Sequence, residues 1–87
     1  MEIAFVDAAI SDLQFWKEST DKKIIQRITQ LIQSIQKTPF QGIGKPEPLK
    51  HNLSGYWSRR INREHRIVYR IENNRIIIIS LRFHYQR

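Results

Sequence analysis

At 87 residues with no cysteine, the chain reads as one small domain, 1–87, without a disulfide framework or a cysteine zinc site. No segment is apolar over the about 18 residues that a membrane helix needs, and the opening MEIAFVDAAI has no basic leader, so the expectation is a soluble cytoplasmic protein with no membrane association. The formal charge of +7 lies entirely in the second half: residues 1–44 carry five basic and five acidic side chains, residues 45–87 ten basic and three acidic, and eight of those ten are arginines, which suit bidentate contact with phosphate and point to a nucleic acid or another polyanion.

Glu2 to Val6 is a short apolar run that reads as a first strand. Asp7 then serves as N-cap of a helix through about Glu18, with Ile10, Leu13 and Trp16 as its buried stripe. Ser19 or Thr20 caps the next helix and Asp21 sits in its first turn. Ile24, Ile25, Ile28, Leu31, Ile32 and Ile35 form one continuous apolar face there, so this helix is scaffold. Thr38-Pro39 ends it, because proline disfavours helical geometry in the residue before it. A loop follows through Pro48, in which Glu47 stands between Pro46 and Pro48; their limits on backbone freedom suit a carboxylate held in place, and its spacing fits an ordinary polar loop residue equally.

Tyr56 to Ile61 alternates as a strand, with Tyr56, Ser58 and Arg60 on one face and Trp57, Arg59 and Ile61 on the other. Asn62-Arg63-Glu64 is a turn, and His65 to Ile71 returns with Ile67, Tyr69 and Ile71 facing opposite to Arg66, Val68 and Arg70. Glu72-Asn73-Asn74 is a second turn. The last strand, Arg75 to about Tyr85, contains the apolar run Ile76 to Ile79, which suits a central strand covered on both faces. The predicted class is therefore α+β, in the order β-α-α-β-β-β, with two N-terminal helices packed on one face of a small, mainly antiparallel sheet. The other face would gather Arg60, Arg66, Arg70, Arg82 and His84, with Glu47 brought over it by the loop.

These residue types fit one chemistry. RNA is cut when its 2′-hydroxyl loses a proton and attacks the adjacent phosphorus, the phosphorane charge is stabilised, and the departing 5′-oxygen gains a proton. A carboxylate can be the base, an arginine can hold the phosphorane oxygens, and a histidine can be the acid, with each proton transfer contributing about 10²- to 10⁴-fold. Glu47, Arg66 and His84 match those roles by type. Tyr56, Trp57 and Tyr85 could stack on bases, although Trp57 reads better as core. His51 and His65 read more simply as loop and strand-edge residues than as site residues. The histidines lack short ligand spacing and no carboxylate cluster accompanies them, so no metal and no cofactor is expected.

The stretches TPFQGIGKPEPLKH, KPEPLKHNLSGYWSRRINREHRIVY and RFHY closely resemble the Txe/YoeB family of bacterial toxins, within the RelE-like superfamily. The resemblance extends over essentially the whole chain. It implies the toxin of a type II toxin-antitoxin pair: an mRNA interferase that binds the bacterial ribosome, cuts mRNA in the decoding site, is often a homodimer, and is neutralised by a YefM-like antitoxin. Carried over, Glu47 is the general base, His84 the general acid, Arg66 the transition-state stabiliser and Tyr85 the near-terminal tyrosine of the site. Lys50 and Arg60 are the basic residues that contact RNA, and His51 and Arg82 complete the candidate RNA-binding set. The chain departs from that pattern by continuing with Gln86 and Arg87 after the His-Tyr pair.

An antitoxin segment suited to the basic half would be acidic with apolar anchors. Two other classes stand beside the nuclease. A toxin of the same fold that inhibits a protein target such as gyrase would not need Glu47, Arg66 and His84 together. A non-catalytic RNA-binding module would tolerate loss of the Glu47 charge.

Overall fold

A computed structural model describes residues 1–83; His84 and Tyr85, and with them the end of the predicted last strand, lie outside the described residues. The elements are β1 (Glu2–Phe5), α1 (Asp7–Glu18), α2 (Lys22–Lys37), β2 (Glu47–Pro48), β3 (Trp57–Arg60), β4 (Arg66–Glu72) and β5 (Arg75–Ser80). The strands form one sheet in the order β1-β5-β4-β3-β2. β1 runs parallel to β5 and every other neighbouring pair is antiparallel. This is the predicted α+β arrangement, with one addition: the Pro-flanked Glu47 does not sit in a free loop but begins a two-residue edge strand paired to β3. Proline is tolerated there because an edge strand need not donate from every N–H.

The core lies between the sheet and the two helices. α2 presents Ile24, Ile28, Leu31 and Ile35, all buried, and Ile25 and Ile32 pack against its flank. β4 and β5 answer with Ile67, Tyr69, Ile76 and Ile78 from one face of the sheet. As the apolar run required, β5 is central, between β1 and β4, and Ile77 is buried as well while standing apart from the helix-side cluster.

α1 corrects the expected stripe. Ala9 and Trp16 are buried and Leu13 packs against the core, whereas Ile10 is 53% exposed. Successive residues on a helix point about 100° apart, so a stripe centred on Ala9, Leu13 and Trp16 turns Ile10 outward. Both helix starts also differ from expectation. Val6, not Asp7, occupies the cap position of α1, and Asp7 contributes its charge within the first turn. Asp21 itself caps α2, its carboxylate accepting from the Lys23 N–H at 3.1 Å, and Ser19 Oγ supports it by accepting from the Asp21 N–H.

Two turns fix the strands that carry the site. Asn73 and Asn74 both adopt positive φ, 53° and 59°, as a two-residue hairpin between right-twisted strands demands. Between β3 and β4, the Asn62 side-chain oxygen accepts from the N–H groups of Glu64 and His65. β5 ends at Ser80, earlier than predicted, and residues 81–83 continue as bends.

Candidate active site

Strand pairing brings three polar side chains into a line across the open face of the sheet. Arg60 is opposite Arg66, and Glu47 is opposite Ser58. Residues two apart on a strand share a face, so Arg66 on β4, Ser58 on β3 and Glu47 on β2 all project to the same side. Arg66 Nε donates to Ser58 Oγ at 2.9 Å, and its Nη2 reaches Glu47 Oε1 at 3.2 Å and the Lys45 carbonyl at 3.4 Å.

The two charges differ in exposure. The Arg66 side chain is 9% exposed and that of Glu47 is 63% exposed. Burial pulls the Arg66 guanidinium below its ordinary range; the Glu47 carboxylate opposes that effect and the neighbouring Arg60 adds to it. A guanidinium is a cation at neutral pH regardless. The site thus pairs a fixed, shielded cation with a carboxylate open to solvent.

The chain beyond β5 is led back to this point by Trp16, Asp12 and His65, to which sequence reasoning assigned no part in the site. The Leu81 carbonyl accepts from the Trp16 indole at 2.8 Å, and the Leu81 N–H donates to Asp12 Oδ2 at 2.9 Å. His65 Nδ1 accepts from the Phe83 N–H at 2.7 Å, so His65 carries its proton on Nε2 when neutral. Its ring packs edge-on against Trp16. Finally the Arg66 N–H donates to the Phe83 carbonyl at 3.2 Å. The residue immediately before His84 is therefore bonded to the backbone of Arg66.

The other predicted residues divide. Lys50 and His51 are exposed at the tip of the β2–β3 hairpin, where His51–Leu53 form a single 3₁₀ turn and His51 has φ 60°. Arg60 is exposed beside Arg66. Arg82 does not stand free: its guanidinium lies 3.6 Å from the centroid of Phe15 and 4.6 Å from that of Phe83. Arg70 is engaged by Glu72 at 2.9 Å and by the Tyr56 hydroxyl at 3.0 Å, and those contacts hold its pKa above the ordinary value. Trp57 packs against the core and against Phe40, as its core reading required. His84 and Tyr85 lie outside the described residues.

Arg59 departs most from the arginines counted as phosphate contacts, because it is fully buried. Its position between Trp57 and Ile61 on the core-facing side of the strand was the available signal. Among the described residues no group of three or more His, Asp or Glu is placed to hold a metal ion, and no helix is long and apolar enough to cross a membrane.

Comparison with known proteins decides the family. Residues 5–85 match the family model described as YoeB-like toxin of bacterial type II toxin-antitoxin system. The chain belongs to that family of YoeB-like toxins. It is 59% identical to Toxin YoeB of Synechocystis over 87 residues, the whole of both chains. The YoeB/ParE toxin from Agrobacterium tumefaciens superposes with a TM-score of 0.93 at 45% identity, over 98% of this chain and 100% of the other. YoeB of Staphylococcus aureus, solved as a dimer and in a heterotetrameric complex with YefM, superposes with TM-scores of 0.89 and 0.88 at 45% identity, over 98% of each chain. These likenesses fit the helix-on-sheet fold described above and identify the chain as a type II toxin.

Proposed function

We propose that this toxin is a ribosome-dependent endoribonuclease that cuts translated mRNA by general acid–base catalysis. The observation that carries the reading is the Arg66–Ser58–Glu47 line, which holds a solvent-open carboxylate 3.2 Å from a buried guanidinium on a basic face. In the reaction, Glu47 takes the proton of a 2′-hydroxyl as that oxygen bonds to the adjacent phosphorus. Arg66 faces the added negative charge on the phosphoryl oxygens. His84, the next residue after the anchored Phe83, gives a proton to the 5′-oxygen as the P–O5′ bond breaks, leaving a 2′,3′-cyclic phosphate and a 5′-hydroxyl. Tyr85 completes the site, and Lys50, His51, Arg60 and Arg82 contact RNA.

Magnitudes favour the hand-over. Glu47 is open to solvent, which screens its side of the pair, while a positioned donor on a developing oxyanion contributes about 3–4 kcal/mol. Arg66 therefore gives up little when it turns from Glu47 towards a phosphorane. Ser58 keeps its Nε in place meanwhile.

The partners follow from the relatives and the surface. A YefM-like antitoxin neutralises the toxin, and two copies form a homodimer, as the Staphylococcus aureus protein does. Exposed Ile10, Phe15, Phe40, Ile43 and Phe83, together with the basic second half, suit an acidic segment with apolar anchors. Its site of action is the bacterial cytoplasm, where mRNA is translated.

The test is primer extension on a defined mRNA in a bacterial translation extract with wild type, Glu47→Gln or His84→Ala. The expected result is new 5′ ends within translated codons for wild type alone, with Glu47→Gln losing about 10²-fold or more in cleavage while ribosome binding stays within about threefold. Unchanged 5′ ends despite growth arrest by the wild type would overturn the nuclease reading and favour a protein target.

A further inference from the structure

We propose that Arg59, a residue with no access to RNA, is the positioning residue for the Glu47 carboxylate. The inference rests on the reading of Glu47 as the base. Between the end of α2 and the start of β2, residues 38–46 have no regular structure. The segment includes Gly42 and Gly44 at positive φ, 120° and 83°. Each residue of such a loop loses backbone entropy when fixed. A carboxylate at its far end needs something to hold it.

Arg59 supplies that hold with every donor it has. A guanidinium carries five N–H groups in one plane. Nε donates to the Tyr69 hydroxyl at 3.1 Å. Nη1 donates to Ser34 Oγ at 2.7 Å and to the Ile43 carbonyl at 3.2 Å. Nη2 donates to the carbonyls of Thr38 and Gln41, both at 2.7 Å. Three of the five acceptors are loop carbonyls, and a fourth, Ser34, stands in the last turns of α2. The Tyr69 hydroxyl in turn donates to the Pro39 carbonyl at 2.6 Å.

The charge is met by carbonyl and hydroxyl oxygens, without a carboxylate among these partners, at the negative end of the α2 dipole. Burying a cation in this way is costly unless every donor is satisfied, which ties the guanidinium to one loop conformation. The strand carrying Arg59 also closes the far side: the Arg60 N–H donates to the Gly44 carbonyl at 2.7 Å, and Ser58 is the β-partner of Glu47. One residue thus fixes, from the core side, both the loop leading to Glu47 and the strand that Glu47 pairs with. Lysine, with three donors on a point charge, cannot reproduce the fork.

The test compares wild type, Arg59→Lys, Arg59→Met and the milder Ser34→Ala, which removes one of the five acceptors. Each is measured for single-turnover cleavage on programmed ribosomes, for ribosome affinity, and for amide hydrogen exchange in a peptide spanning 38–47. The expected result for Arg59→Lys is a fall in the cleavage rate of about 10²-fold, the usual effect of a displacement near 1 Å, with affinity within about threefold. Exchange should rise in 38–47 while β4 and β5 stay protected. Ser34→Ala should show the same split in smaller measure.

In a Glu47→Gln background, Arg59→Lys should add less than about a twofold loss, because the two act as one unit. A folded Arg59 variant that cleaves like wild type, or an equal loss with and without Glu47, overturns the positioning role and leaves the nuclease reading standing. If Arg59→Met fails to fold, Arg59→Lys and Ser34→Ala decide in its place. Full cleavage by Glu47→Gln alone would overturn both, since no base would remain to be positioned.

Discussion

At the scale of single residues, what distinguishes the arginines is what receives their protons. Arg59 spends all five N–H groups on the protein, Arg70 is held by Glu72 and Tyr56, and the Arg82 guanidinium lies against the rings of Phe15 and Phe83. Arg66 is intermediate: Ser58 fixes its Nε, and its Nη2 faces an exposed carboxylate. That combination suits a group that must be rigid before the reaction yet free to change partner during it. Arg66→Lys keeps the charge but cannot bond Ser58 and a phosphoryl oxygen from one planar fork. Its cleavage rate should fall by about 10²- to 10³-fold, as when one oxyanion donor is lost. Single-turnover kinetics on programmed ribosomes would measure this, and a rate within about threefold of wild type would remove Arg66 from the transition state.

At the scale of elements, the β2–β3 hairpin and the loop before it set the site. Gly44 shows how tightly. A Cβ at that position would come 2.6 Å from Leu31 Cδ2 and 3.1 Å from Arg59 Cβ, at a φ of 83° that side chains disfavour. Gly44→Ala should therefore lower stability by about 1–3 kcal/mol, read as a lower urea midpoint at unchanged m-value. A midpoint equal to wild type would mean that the loop has another conformation available. The same elements show what the sequence discloses. Periodicity alone placed α2, the faces of β4 and the central β5, because each rests on a repeat of 3.6 or 2 that burial enforces. It misassigned Ile10 and the two helix caps, since neighbouring residues compete for the same geometric role and tertiary packing chooses between Ala9 and Ile10. It read Glu47 and Arg66 by type, yet not Ser58 between them, because a diagonal contact depends on strand register. The hold of His65, Trp16 and Asp12 on residues 81–83 spans distances along the chain that no local pattern reports.

At the scale of the whole molecule, the charge asymmetry read from the sequence needs revision before it can be turned into affinity. Of the ten basic residues in the second half, Arg59 is sealed in the core and Arg66 and Arg70 are paired with carboxylates. Lys45, Lys50 and Arg60 are exposed and come from the loop, the hairpin tip and the strand that surround Glu47. If the basic face binds single-stranded RNA through phosphates, each such contact releases a counterion and contributes about 0.7 to the slope of log affinity against log salt. Replacing Lys45, Lys50 and Arg60 together by glutamine should reduce that slope by about two, whereas Arg70→Gln should change it by less than about half. Fluorescence anisotropy with a short labelled RNA, titrated at several KCl concentrations, separates the cases. A slope unaffected by the triple replacement would mean that the excess charge serves solubility alone. A slope that falls as much for Arg70 as for the exposed three would mean that net charge, and not its placement around Glu47, governs how RNA is held.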